Sequence, residues 1–189
     1  MLSRRDWIGA AALGGLAGVT SLEPVAHGAE ALAGRRAALP PGAKVPAFTF
    51  VYECEATIAP PMAFGPTPEG QRRVIPITGG TFQGPRLRGE VVANGADWNL
   101  TRTDGAGSVD AAYYLKTDDG VLIRVVNQGV GRSAPPDPNA PELFFMYTHP
   151  AFEAPAGKYD WLNRSMFIGT LGARRGMKNA VLIRVFELT

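Results

Sequence analysis

The sequence predicts an all-β domain, a single antiparallel barrel of about nine strands, with a β-sandwich as the alternative. Three observations lead there. Past residue 46 the apolar pattern repeats every second residue rather than every 3.6. The apolar runs are rich in β-branched and aromatic residues and are bounded by glycine, proline or aspartate. No segment of helical periodicity is long enough to place a major helix between them.

Residues 1–31 are expected to be an export signal. Ser3-Arg4-Arg5-Asp6-Trp7-Ile8 resembles the twin-arginine signal, with Trp7 where phenylalanine is usual. The apolar stretch from Trp7 to Val19 contains four glycines and falls short of the roughly 20 residues that span a bilayer. Ala29-Glu30-Ala31 fits the small-x-small cleavage rule; the alternative is an uncut N-terminal anchor. The Pro- and Gly-bearing residues 32–46 read as a tether, and residues 47–189 as the barrel domain. The expected location is periplasmic or secreted, with no stable membrane anchor after cleavage.

Composition excludes several functions. With 46% hydrophobic and 19% charged residues the chain is an ordinary globular protein. Residues 32–189 carry 17 Lys and Arg against 14 Asp and Glu, too mild an excess to suggest nucleic acid. The single Cys54 has no partner for a disulfide and reads as a small core residue. One histidine beyond the leader, His149, argues against a histidine-rich metal site, and neither metal nor cofactor is expected. No GxSxG elbow supports a serine hydrolase. "ITGGTFQGP" lacks the Lys and Ser/Thr of a phosphate loop, so Gly79, Gly80 and Gly84 read as bends or bulges.

In order, the expected strands are Phe48 to Ile58, Arg72 to Thr78, Arg86 to Ala93, Trp98 to Thr103, Val109 to Thr117, Val121 to Gln128, Leu143 to His149, Trp161 to Leu171 and Ala180 to Leu188. One hairpin can be put in register. In "LKTDDGVLI" a three-residue Asp118-Asp119-Gly120 loop supplies a glycine for the left-handed position. Pairing Thr117 with Val121 then aligns Leu115 with Ile123, Tyr113 with Val125 and Ala111 with Asn127 on one face, taken as the interior.

The segments "PITGGTFQGPRLRGEVVANGADW", "VDAAYYLKTDDGVLIRVVNQG", "FFMYTHPAFEAP" and "YDWLNRSMFIG" together resemble uncharacterised protein family 0311, also called domain of unknown function 3237. The similarity runs from about Phe48 to Leu188. It implies a compact calycin-like β-barrel and brings no general activity with it. The chain departs from the family pattern at Ala112, where arginine is expected, and at Tyr147 to His149, where "FRT" is commoner. The missing arginine makes a carboxylate-bearing ligand less expected.

Two "DW" pairs, Asp97-Trp98 and Asp160-Trp161, frame the site question, because a buried carboxylate is costly unless it is paired. Strand alternation keeps an acid and its neighbouring tryptophan from facing one cavity together. Trp98 and Trp161 are therefore expected to wall a pocket whose rim Asp97 and Asp160 shape, each acid accepting turn N–H groups. Asp97, Asp110 and Glu153 are the candidate acid–base residues, with Tyr113 to steady a developing oxyanion. Asn127, Asn163, Tyr147, Trp98 and Trp161 are the candidate ligand contacts; either asparagine reads equally well as a satisfied core amide. Gly131 to Glu142 is a long loop, a surface excursion or a lid.

The first expectation is thus a barrel that binds a small apolar or aromatic molecule inside it. The alternative is a cofactor-free lyase, isomerase or hydratase using a carboxylate and a tyrosine. An oligomeric module built on a strand edge is a third possibility, and the oligomeric state is left open.

Overall fold

Nine strands follow one another almost without interruption in the computed structural model, which describes residues 40–132, 142–174 and 176–189. The leader and most of the Gly131 to Glu142 loop lie outside those residues. Residues 45–189 form one compact unit. Its strands are β1 (Phe48–Ile58), β2 (Met62–Thr67), β3 (Gly70–Gln83), β4 (Arg88–Arg102), β5 (Ala106–Thr117), β6 (Leu122–Arg132), β7 (Glu142–Glu153), β8 (Phe167–Arg174) and β9 (Ala180–Leu188), with a 3-10 helix at Asp160–Arg164. Among the described residues no helix is long and apolar enough to cross a membrane.

The sheet order is β1-β9-β8-β7-β6-β5-β4-β3-β2, and a further β1–β3 pairing closes it. Eight strands make a closed antiparallel barrel, and β2 is an extra strand added to β3. Closure depends on a bend in β3. Its first half pairs with β4 up to Ile77 opposite Gly95, the register then shifts, and Gly79 to Gln83 pair with β1. Gly80 makes the bend possible: it sits at φ +129, and a Cβ there would lie 2.1 Å from the Glu55 carbonyl oxygen.

Local chemistry accounts for where the elements differ from expectation. β1 and β9 occupy the expected runs. The two expected strands at Arg86 to Ala93 and Trp98 to Thr103 are one strand, β4, because "NGA" is absorbed as a bulge between Val92 and Ala96, with Asn94 at φ 76. Gly95 is required at that bulge for close approach, since a Cβ there would lie 2.6 Å from the Tyr113 Cβ. The strand expected from Trp161 begins only at Phe167; the preceding residues wind into the 3-10 helix, where Asp160 pairs with Arg164 at 2.9 Å.

The β5–β6 hairpin has the predicted register, with Leu115 opposite Ile123, Tyr113 opposite Val125 and Ala111 opposite Asn127. Gly120 takes φ +87, and its N–H donates to the Thr117 carbonyl at 2.8 Å. Lys158 and the Tyr159 hydroxyl, just before the 3-10 helix, donate to Asp119 at 2.7 and 3.0 Å and tie that segment to the hairpin tip. The bond from Lys158 first, then one from the Thr117 hydroxyl and that from Tyr159, lower the Asp119 pKa to about 2.

The inward-facing residues divide the barrel along its length. At the hairpin-tip end Tyr52, Phe82, Leu115, Ile123, Val125, Tyr159, Leu162 and Phe167 are buried in one cluster. Aromatic edges knit it together: Tyr52 meets Phe82 at 5.6 Å, and Phe152 meets Phe167 at 4.8 Å between ring centroids. The 3-10 helix plugs this end with Leu162. Toward the opposite end the interior opens into a cavity.

Candidate functional site

The cavity has a volume of about 470 Å³, within the range of roughly 300–1,000 Å³ typical of small-molecule sites. Eight strands leave an interior wide enough to be filled by side chains or to hold one small ligand, and here the small Ala111 and Ala56 help leave it open. The walls are mostly aliphatic, with Ile75, Ile77, Val109, Met146, Leu171 and Ile183 among them. Pro60 and Pro61, between β1 and β2, and Asn179, before β9, line the mouth side. Arg73, Asp97, Asn99, Tyr113 and Asn127 supply the polar and charged groups that matter for chemistry.

Asp97 faces inward from β4, half-buried. The backbone N–H of Asp110 donates to its Oδ1 at 2.9 Å, and the Asn99 amide donates to its Oδ2 at 3.2 Å. Asn99 is itself held on both sides, donating to the Ser108 carbonyl at 3.0 Å and accepting from Arg73 Nε at 2.8 Å. Burial pushes the Asp97 carboxyl above its ordinary value, and the Asp110 N–H, Asn99 and Arg73 only partly oppose it. Asp97 thus accepts a backbone N–H as expected, but from the neighbouring strand rather than from a turn.

Tyr113 and Asn127 sit deeper. Both amide atoms of Asn127 and the Thr148 hydroxyl have no hydrogen-bond partner in the protein, and the buried Tyr113 and Tyr52 hydroxyls lie against each other. Asn127 is 0% exposed and lines the cavity. Burial drives the phenols of Tyr113 and Tyr52 far above their ordinary value, so both remain neutral donors. Burial likewise pushes the Cys54 thiol up to about 12.

Other candidates lie elsewhere. Trp98 is 44% exposed on the outer face, because Asp97 and Asn99 take the inward parity of β4. Trp161 lies in the plug, against Phe167 and under the Arg86 guanidinium at 3.4 Å from its ring centroid. The expectation that these tryptophans wall one pocket is therefore corrected: neither lines the cavity. Asp110 faces out and accepts from Gln128 at 2.9 Å. Glu153 pairs with Arg124 on the surface at 3.4 Å, and Tyr147 is 64% exposed. Asn163 uses both amide atoms on Ala154, accepting from its N–H and donating to its carbonyl, each at 2.8 Å. The expected site thus divides: Asp97, Tyr113 and Asn127 share the cavity, and Asp110, Glu153, Trp98, Tyr147, Trp161 and Asn163 do not line it.

Sequence reasoning missed Arg73 and Asn99. Asn99 lies two residues from Asp97 in one strand, so the same alternation that assigns Asp97 to the interior assigns Asn99 there as well. Arg73 offered no comparable signal beside its neighbour Arg72. Among the described residues no group of three or more His, Cys, Asp or Glu could hold a metal ion.

Fold and cavity together define a small closed antiparallel β-barrel with one internal, mainly apolar chamber. The chain belongs to the family described as protein of unknown function DUF3237, whose model matches residues 46–188. Among its relatives, a UPF0311 protein of Rhodopseudomonas palustris strain TIE-1 is 33% identical over 130 residues, covering 64% of this chain and 84% of that protein. A UPF0311 protein of Clostridium acetobutylicum is 30% identical over 131 residues, covering 62% and 80%. A β-barrel-like protein of Acinetobacter baumannii AYE has a similar structure, with a TM-score of 0.70 at 29% identity over 79% of this chain and all of that one. A structure described as an enzyme from Penicillium herquei shares the fold, with a TM-score of 0.60 at 21% identity over 80% of this chain and all of that one.

Proposed function

We propose that the barrel binds one small, largely apolar molecule in its chamber, and that it does so outside the cytoplasm. One observation carries the binding reading: the two unpartnered amide atoms of Asn127 in an otherwise mainly aliphatic cavity of about 470 Å³. Such buried groups cost about 1–3 kcal/mol each when left unpaired, a cost that a ligand's polar end would offset. The export reading rests on Ser3 to Ile8 and the small-x-small motif at Ala29.

Ala111 provides the test. It lies between Asp97 and Asn127 in the cross-strand row, and Ala111→Phe would put a ring into the chamber. Calorimetry with a panel of bicyclic apolar probes should give binding to the wild-type barrel and at least a tenfold loss in the variant. A wild-type barrel that binds none of them would sink the reading.

The Asp97 arrangement favours a second reading, a cofactor-free lyase, isomerase or hydratase. A carboxyl whose proton affinity is raised by burial is a better general acid or base than an exposed one, and the neutral Tyr113 phenol can donate to a developing oxyanion. With a turned-over substrate in hand, Asp97→Asn should lower kcat by a factor of roughly 100 or more with little change in KM. Unchanged kcat would end this reading.

A further inference from the structure

The ligand's polar end can be specified further, on the premise that the chamber binds a small molecule. We infer that the chamber selects an uncharged molecule carrying an adjacent donor and acceptor, such as the N–H and C=O of a lactam, which pairs with the side-chain amide of Asn127.

Three features of the molecule support this. An asparagine amide presents one acceptor and two donors side by side, and in Asn127 both Oδ1 and Nδ2 are buried and without a partner. A ligand offering only an acceptor would leave Oδ1 stranded. One offering only a donor would strand Nδ2. Because both atoms are free, the complement is the same whichever way the amide is turned.

The chain itself shows how such an amide is satisfied. Asn163 meets the N–H and C=O of Ala154 through both side-chain atoms, each at 2.8 Å. Asn127 has the same chemistry and no such edge opposite it. Its surroundings favour a neutral occupant: Tyr113 and Tyr52 remain protonated, and Arg73 and Asp97 lie on other strands, each hydrogen-bonded to Asn99.

The row Asp97, Ala111, Asn127 also sets a width. Adjacent strands lie roughly 4.8 Å apart, so the backbones that carry Asp97 and Asn127 are separated by about 9–10 Å across the methyl of Ala111. A flat ring system lying over that methyl would turn its donor–acceptor edge toward Asn127.

Three bicyclic probes of nearly equal shape separate the possibilities: 3,4-dihydroquinolin-2-one with donor and acceptor, 3,4-dihydrocoumarin with the acceptor alone, and tetralin with neither. For the wild-type barrel, the lactam should bind about tenfold tighter than the lactone, as expected for one hydrogen bond of about 1.4 kcal/mol. In Asn127→Leu, a replacement of similar size, that preference should vanish while tetralin binding persists. Equal affinities for all three in the wild type would overturn the inference and leave the binding reading intact. Failure of all three to bind would overturn both. A preference that survives in Asn127→Leu would assign it to another group and overturn the role given to Asn127.

Discussion

Three asparagines on or near the barrel show how residue identity alone leaves role undecided. Asn163 and Asn99 spend their amides inside the protein, whereas Asn127 does not. Asn127→Leu should therefore raise stability by about 1–3 kcal/mol, because it removes stranded polar groups, whereas Asn99→Leu should lower it by a similar amount by stranding Arg73 and Asp97. Urea denaturation of the two variants reads both signs. Asp97 supplies a second residue-level test. Its carboxyl holds a proton more tightly in the folded state than the ordinary 3.8, so its contribution to stability is complete below pH 3.8 and is lost as pH rises through the raised value. Over that interval the wild type should lose stability more steeply than Asp97→Asn, and equal slopes would refute the assignment. The inward position of Asp97 was legible in the sequence as one of two parities. Its neighbour Trp98 was assigned the wrong one, because a tryptophan reads as core while the inward acid is held by partners on β3, on β5 and at Asn99, which only the pairing of strands reveals.

At the scale of elements, closure rests on backbone contact at β3. Gly80→Ala would drive a Cβ against the Glu55 carbonyl at φ +129, so a loss of more than about 3 kcal/mol is expected. Gly105→Ala, at φ +80 with nothing within 4 Å, suffers backbone strain only and should lose about 1 kcal/mol. Thermal melts followed by circular dichroism compare them directly. Alternation revealed β1, β9 and the β5–β6 hairpin, whose turn set the register. β2 was missed because "MAFGPT" has neither alternation nor β-branching apart from its last residue, and it exists through pairing with β3. The fused β4 and the 3-10 helix were missed for a related reason. Glycine and asparagine read as breaks in a lone strand, but between two partners they become a bulge.

For the whole molecule, the barrel is half core and half chamber. Cys54, 0% exposed with its thiol pushed up to about 12, should resist Ellman's reagent while the protein is folded and react only at the rate of opening. Rapid labelling in native buffer would show that the chamber breathes to its floor. The β class was readable because period-two patterning is a property of the chain. The division into filled and empty halves was not, because it depends on which side chains meet across strands far apart in sequence, such as Tyr52 with Phe152 at 6.2 Å. With Trp98 outside and Trp161 in the plug, their emission should respond little to chamber occupancy.

The plug has a kinetic corollary. Leu162 and Tyr159 block one end, and the Arg86 stack on Trp161 and the Lys158 and Tyr159 bonds to Asp119 pin that block in place. Among the described residues the barrel is thus closed at the hairpin-tip end. If the chamber binds a molecule as proposed, that molecule would arrive and leave by the end that Pro60 and Pro61 line, so exchange would wait for departure before arrival.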